Sequence, residues 1–241
     1  MMRLLILLLC FFSIAHAQDN NLTIPIDKGL PVIVRTALYY NDLKAFNDNQ
    51  ETFEATTDLR LIWEDPRLSY QESENVYDYK EFRASHAEEE IAKIWTPKIQ
   101  FANQVGEPTF SERRLRFYPT GKVELMIRTT AIYKTPIDGS HFPFDHQRLE
   151  IHIAVREDTL ENVVLDFLSE DMEFSRASKN ATLKDWTLSW VNLKRQVIHG
   201  WNGDHYAQVI ASLNVKRQGG NTVTTIFIPL FASLLIPFLA T

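Results

Sequence analysis

Between two apolar ends the chain alternates apolar and polar residues with a period of two, the mark of strands with one buried face and one wet face. Phe53, Ala55, Thr57, Leu59, Leu61 and Trp63 fall on one side, with Glu54, Thr56, Asp58 and Arg60 on the other. Val123, Leu125 and Ile127 oppose Glu124, Met126 and Arg128, and Leu149, Ile151, Ile153 and Val155 oppose Arg148, Glu150 and His152. Trp186, Leu188 and Trp190 predict another inward row, and Ala207, Val209, Ala211, Leu213 and Val215 a further one. Turn residues at Asp65-Pro66, Pro119-Thr120-Gly121, Asp138-Gly139 and Gly200 to Gly203 separate these runs. The pattern predicts an all-β chain, an immunoglobulin-like β-sandwich of about ten antiparallel strands. A helical rhythm occurs once before the final apolar run, over Ser85 to Trp95. There Ser85 and Glu88 stand at capping-box spacing, with Ile91, Ile94 and Trp95 on one side.

The two ends add export and a membrane. Arg3, the apolar run Leu4 to Phe12 and the small residues Ala15 and Ala17 form a secretory leader with cleavage after Ala17. That run is too short to cross a hydrocarbon core, which takes about 20 residues. Val223 to Ala240 carries no charge and is long enough to enter or nearly span a bilayer. The expected organisation is therefore a signal peptide over 1–17, a sandwich over 18–221 and the start of a transmembrane helix over 222–241. Cys10, the single cysteine, lies in the leader, so the mature chain forms no disulfide. Losing Arg3 and no acidic residue takes the formal charge from −6 to −7, which argues against nucleic acid as a partner.

The stretch Thr135 to Leu149 stands out because Phe142-Pro143-Phe144-Asp145 puts an apolar block inside a polar loop. Leaving each ring in water forfeits roughly 2 kcal/mol of burial. Either the protein's own core or a membrane-facing partner receives them.

Taken together these segments resemble the extracellular domain and first membrane helix of pentameric ligand-gated ion channels, the Cys-loop receptor superfamily, in its disulfide-free bacterial form. The carriers are Trp63-Glu64-Asp65, Ile94-Trp95-Thr96-Pro97, the block Phe142 to Asp145, and Arg217-Gln218 ahead of an apolar run containing Pro229. The likeness covers about Pro31 to Thr241. Thr135 and Leu149 stand where animal members carry the loop cysteines, so the resemblance implies a loop held by packing of Phe142 and Phe144, with a cis peptide at Pro143. It also implies a coupling site. If the sandwich stands on the membrane, Arg217 lies between Asp145 and Asp48, the latter in the turn Asn47 to Gln50, and links sandwich motion to the first helix. The alternative is three solvated surface charges.

In the family, ligand binds between adjacent subunits. Carried over by position, one side offers Phe101, Ala102 and Asn103, then Arg156, Glu157 and Asp158, closed by the hairpin tip His199 to Tyr206 with Trp201 and Tyr206. The other side presents Asp58, Arg60, Glu124, Met126 and Arg128, the outward faces found by alternation. Animal receptors hold amines in an aromatic box, but the matching positions here are Ala102, Arg156 and Asp58. A small anionic or zwitterionic ligand against Arg60, Arg128 and Arg156, a cation near Glu124, Glu157 and Asp158, or plain solvated charge at an interface all remain open. Proton sensing is a further option, since Glu51 and Asp145 align with titratable positions in acid-gated bacterial relatives, and histidine brings in His146 and His152.

The expected partners are identical subunits in a homopentamer, a lipid bilayer, and a small molecule or proton. No cofactor and no metal are expected. His141 with His146, and His199 with His205, lack a carboxylate or thiolate at fixed ligand spacing and read as polar surface residues. No Gly-x-Ser-x-Gly, His-Glu-x-x-His, phosphate loop or reactive cysteine occurs in the mature chain, so an enzyme is not expected. The competing reading is a secreted or membrane-tethered binding protein of the same fold without channel activity.

Overall fold

The hairpin of β1 (Val32–Asn47) and β2 (Thr52–Glu64) forms the middle of a six-stranded sheet in a computed structural model that describes residues 20–71 and 78–239. The expected leader over 1–17 lies outside the described residues. The remaining strands are β3 (Lys80–Arg83), β4 (Ile99–Phe101), β5 (Gln104–Phe117), β6 (Lys122–Lys134), β7 (His146–Val155), β8 (Val163–Asp166), β9 (Trp186–His199) and β10 (His205–Arg217). One sheet runs β3-β5-β6-β2-β1-β8 and the other β4-β7-β10-β9. All pairings are antiparallel except β1 with β8.

The inward rows read from the sequence meet between the layers. Phe53, Leu59, Leu61 and Trp63 from one sheet and Leu149, Ile151, Ile153 and Leu213 from the other are all fully buried. Tyr40 crosses the gap as a polar strut. Its hydroxyl lies 3.2 Å from the Leu149 carbonyl and 3.0 Å from that of Ala211, donating a shared hydrogen bond from β1 to β7 and β10. Burial pushes the Tyr40 hydroxyl well above its ordinary pKa, so it stays a neutral donor.

Trp190 breaks the expected row. Leu213 pairs with Val191 but Val215 pairs with Leu188, so β9 advances three residues where β10 advances two. This bulge inverts the side-chain alternation, bringing Leu193 inward and leaving Trp190 70% exposed. The helix is also shorter than expected. It spans α1 (Ala84–Ile91), begins after Arg83 without a side-chain cap, and places Ser85 inside its first turn. Ile94 and Trp95 follow in irregular chain yet are buried, Trp95 edge-on to Trp63 at 6.1 Å.

A second helix, α2 (Ser169–Phe174), has no periodic signal. It forms because the buried Asp171 carboxylate accepts the Leu168 backbone N–H at 2.9 Å and receives Arg35 at 2.8 Å and Arg60 at 3.0 Å. After β10 come α3 (Gly219–Thr222), a π-helical stretch (Val223–Phe227) and α4 (Ile228–Leu239). Among the described residues no helix is long and apolar enough to cross a membrane.

Tyr40→Phe removes the strut without changing volume, and should cost about 1–2 kcal/mol, read as a lower urea midpoint with unchanged slope. An unaltered midpoint would show that the cross-layer bond contributes nothing net.

Candidate functional site

At one end of the sandwich three chain segments converge on a guanidinium. The β1–β2 turn is shaped by Asn47, whose side-chain oxygen accepts the backbone N–H of Asn49 and of Gln50, each at 3.1 Å, and this presents Asp48 at the tip. The β6–β7 loop is closed by polar cross-links. The Thr135 hydroxyl donates to the Arg148 carbonyl at 2.8 Å. Gln147 reaches back to Asp138, its amide donating to the carbonyl at 2.7 Å and its oxygen accepting the backbone N–H at 3.0 Å. Pro143, Asp145, Gln147 and Leu149 alternate inward, whereas Phe142 and Phe144 are 48% and 58% exposed. The expectation that the two rings hold the loop by packing is thus corrected: proline and the polar links hold it, and the rings point outward. The Phe142-Pro143 peptide is cis.

Arg217, the last residue of β10, lies under this loop. Its Nε donates to Asp145 Oδ1 at 2.7 Å, and Nη2 donates to Asp48 Oδ2 at 2.7 Å. The guanidinium stands 4.2 Å from the Trp186 ring and 5.3 Å from that of Phe142, and Trp186 is braced edge-on by Phe46 at 5.0 Å. The backbone joins in, with Arg217 N–H donating to the Asp145 carbonyl at 3.0 Å. Burial of the Asp145 carboxyl favours its neutral form, but the bonds from Arg217 and from Gln147, at 2.6 Å, outweigh it and hold the pKa below the usual carboxylate range.

Two residues further on, Gly219 carries the chain into α3 against the loop. A Cβ there would sit 2.5 Å from both the Pro143 carbonyl oxygen and Phe144 Cδ1, closer than a side chain tolerates. Only glycine allows this approach. Gln147 and Gly219 were not singled out by sequence reasoning, and Trp186 was read only as the start of an inward-facing row. The signal for Gln147 was its inward parity with Asp145, and the signal for Gly219 was its place after Arg217-Gln218.

The residues expected at a ligand site divide between the sheets. Phe101, Asn103, Arg156, Glu157, Asp158, Trp201 and Tyr206 belong to the four-stranded sheet and its loops. The Leu160 N–H donates to the His205 carbonyl at 2.7 Å, joining the loop after β7 to the β9–β10 hairpin. Trp201 is wholly exposed at the hairpin tip. Asp158 has its carboxyl pushed up by burial and by neighbouring Glu157. Phe101 packs edge-on against Tyr133 at 5.7 Å. Asn103 uses both amide hydrogens on the Lys134 and Glu150 carbonyls, each at 2.7 Å, so it holds strands together and offers no free donor.

Asp58, Arg60, Glu124, Met126 and Arg128 lie on the outer face of the six-stranded sheet, but two expected to point into solvent are buried. Asp58 receives both Arg128 Nε at 2.7 Å and Nη2 at 2.8 Å, a bidentate pair between neighbouring strands. Glu124 accepts the Tyr118 hydroxyl at 2.7 Å, and burial together with that carboxylate pushes Tyr118 up to about 12. Arg60 is engaged by Asp171 and lies 4.0 Å from the Phe174 ring centre. Opposite charges one strand away make burial affordable, so this face is a lattice of internal ion pairs. Glu51 and His146 are exposed near the loop at the base, and Glu51 contributes its backbone carbonyl, which accepts the Thr135 N–H at 2.8 Å.

Comparison with known proteins fits this architecture. The chain is 25% identical over 211 residues to a proton-gated ion channel of Gloeobacter violaceus, across 87% of its own length and 56% of that protein's. It is 28% identical over 159 residues to the gamma-aminobutyric acid receptor subunit rho-3 of Homo sapiens, covering 61% of this chain and 32% of the receptor subunit. Against the rho-2 subunit of Mus musculus it is 26% identical over 161 residues, covering 65% and 33% respectively. The chain therefore spans between about a third and just over half the length of these relatives. Residues 15–219 match the neurotransmitter-gated ion-channel ligand binding domain, and the chain belongs to that family.

Proposed function

We propose that this chain is the sensing domain of a subunit in a homopentameric channel, converting occupancy of a subunit interface into movement of a membrane helix that begins near Thr222. The observation that carries the reading is the Arg217 guanidinium, which ties the Asp48 turn and the Asp145 loop to the residues leading into the terminal helix. The division of the ligand residues between two sheets supports it further. One subunit cannot bring both sets around one ligand with its own core between them, whereas two adjacent subunits can. Exposed Ile226, Ile228, Leu230, Phe231, Leu234 and Leu235 give the terminal helical segment an apolar surface suited to lipid or to neighbouring helices. The ligand is a small charged species or a proton, received beside Arg156, Glu157 and Asp158 beneath Trp201 and Tyr206. For a proton stimulus Asp158, whose pKa is raised, suits the task better than Asp145, whose pKa is lowered.

The test is electrical recording from the complete subunit, including whatever follows Thr241, while stepping pH from 8 to 4 and applying gamma-aminobutyric acid and other amino acids. A current is expected, and Arg217→Ala should abolish it per assembled channel counted at the membrane surface, a normalisation that separates lost coupling from lost folding. Arg217→Lys should keep only part of it, because an ammonium cannot reproduce the forked contact. Intact assemblies without current under every condition would favour the stand-alone binding protein. Normal currents from Arg217→Ala would end the coupling role.

Gly219→Ala should displace either the loop or the helix start, shifting the activation curve severalfold while leaving ligand affinity of the isolated binding step unchanged. Equal shifts in both would place the residue outside the coupling path. For Asp145, a folded-state pKa below the unfolded value of about 3.9 gives stability that is fully present above that value and lost as pH falls through the folded pKa. Asp145→Asn should therefore be destabilised by about 3 kcal/mol, measured as a melting-temperature gap that is constant from pH 8 to 5 and narrows only below about pH 4.

A further inference from the structure

At the mouth of the β9–β10 hairpin, His199 pairs directly across from His205. The next pair outward is hydrogen-bonded, with Gly200 N–H donating to the Asp204 carbonyl at 2.8 Å, while the His205 carbonyl turns away from β9 to accept the Leu160 N–H. His199 and His205 thus occupy a non-hydrogen-bonded pair, the arrangement in which cross-strand side chains stand closest. Their rings meet with centroids 4.5 Å apart at 73°. Both residues are exposed.

We propose that His199 and His205 form a two-histidine clamp for an imidazole-preferring divalent transition metal such as Zn²⁺ or Ni²⁺, fastening the two strands of the hairpin at its mouth. Two imidazoles on one tetrahedral ion, with metal–nitrogen bonds of about 2.0–2.1 Å, have ring centres roughly 5 Å apart. The observed separation is within about 1 Å of that, so one ring turns and the backbone stays. The backbone is already restrained on both sides of the pair. Gly203 N–H donates to the Gly200 carbonyl at 3.1 Å beyond it, and the Leu160 bond anchors it from the side. Among the described residues no group of three or more His, Cys, Asp or Glu side chains is placed to hold a metal. The clamp therefore supplies two ligands and leaves the remaining positions to water or another molecule. Nitrogen donors without a carboxylate select this class of ion over Mg²⁺ and Ca²⁺, which take oxygen.

The inference does not depend on channel activity, and its test uses purified, tag-free protein. Titration calorimetry with ZnCl₂ and with NiCl₂ should show one saturable site per chain on the wild type, with MgCl₂ giving none. His199→Ala and His205→Ala should each weaken binding by about 10²-fold, because losing either arm removes the intramolecular gain of the second contact. His86→Ala, on α1, should bind as the wild type does. Amide hydrogen exchange over residues 199–206 should slow on adding Zn²⁺ in the wild type and in neither single variant, separating a two-point clamp from a one-point contact. Should an alanine variant misfold by circular dichroism, His199→Gln and His205→Gln take its place. A wild type without a saturable Zn²⁺ or Ni²⁺ site, or variants that bind as tightly as it does, would overturn the assignment.

Discussion

The arginine that ends β10 is taken largely out of water beside a carboxylate that is almost wholly buried. Burying either charge alone costs several kcal/mol, so each is tolerable only because the other is there. The contact is two-dimensional in its demands: a planar fork must meet Asp145 along one edge, Asp48 at a corner and Trp186 near its face. An interaction with that many conditions fixes the relative positions of three chain segments far apart in sequence. The sandwich end and the entry to the terminal helix are consequently held together, with Gly219 lying close against the Pro143 carbonyl and the Phe144 ring.

The loop above the arginine shows how such a unit is held without a covalent staple. Thr135 and Leu149, at the positions of the animal family's cysteines, are both buried, and the Thr135 hydroxyl bonds across the loop's neck to the Arg148 carbonyl. Gln147 then spans from Asp145 to Asp138 on the inside. A few hydrogen bonds, at roughly 1 kcal/mol each, thus close the neck and the inside of the loop. Phe142 and Phe144 stay about half exposed, the Phe142 ring 5.3 Å from the Arg217 guanidinium and the Phe144 ring close to Gly219.

On the outer face of the six-stranded sheet, electrostatics runs the other way. Arg128 with Asp58, and Arg35 and Arg60 with Glu170 and Asp171, neutralise one another within the chain. Charges consumed in this manner stiffen the sheet and anchor α2. Arg156, Glu157 and Asp158, after β7, and Trp201, on the β9–β10 hairpin, lie outside that lattice of ion pairs.

The sequence alone determined the two-layer sandwich, because a period of two with buried apolar parity admits little else, and the family resemblance, together with their places beside turns and the apolar run, indicated Asp48, Asp145 and Arg217. It could not reveal the bulge that expels Trp190, since a register shift depends on the partner strand. Nor could it reveal α2, which exists only because Asp171 finds Arg35 and Arg60 on two other strands. The burial of Asp58 and Glu124 was likewise invisible, as polar parity says which way a side chain points but not whether an opposite charge waits one strand away. Local pattern fixes what a segment prefers, and tertiary contact decides which charges are paired, which rings are left in the open, and which two histidines meet.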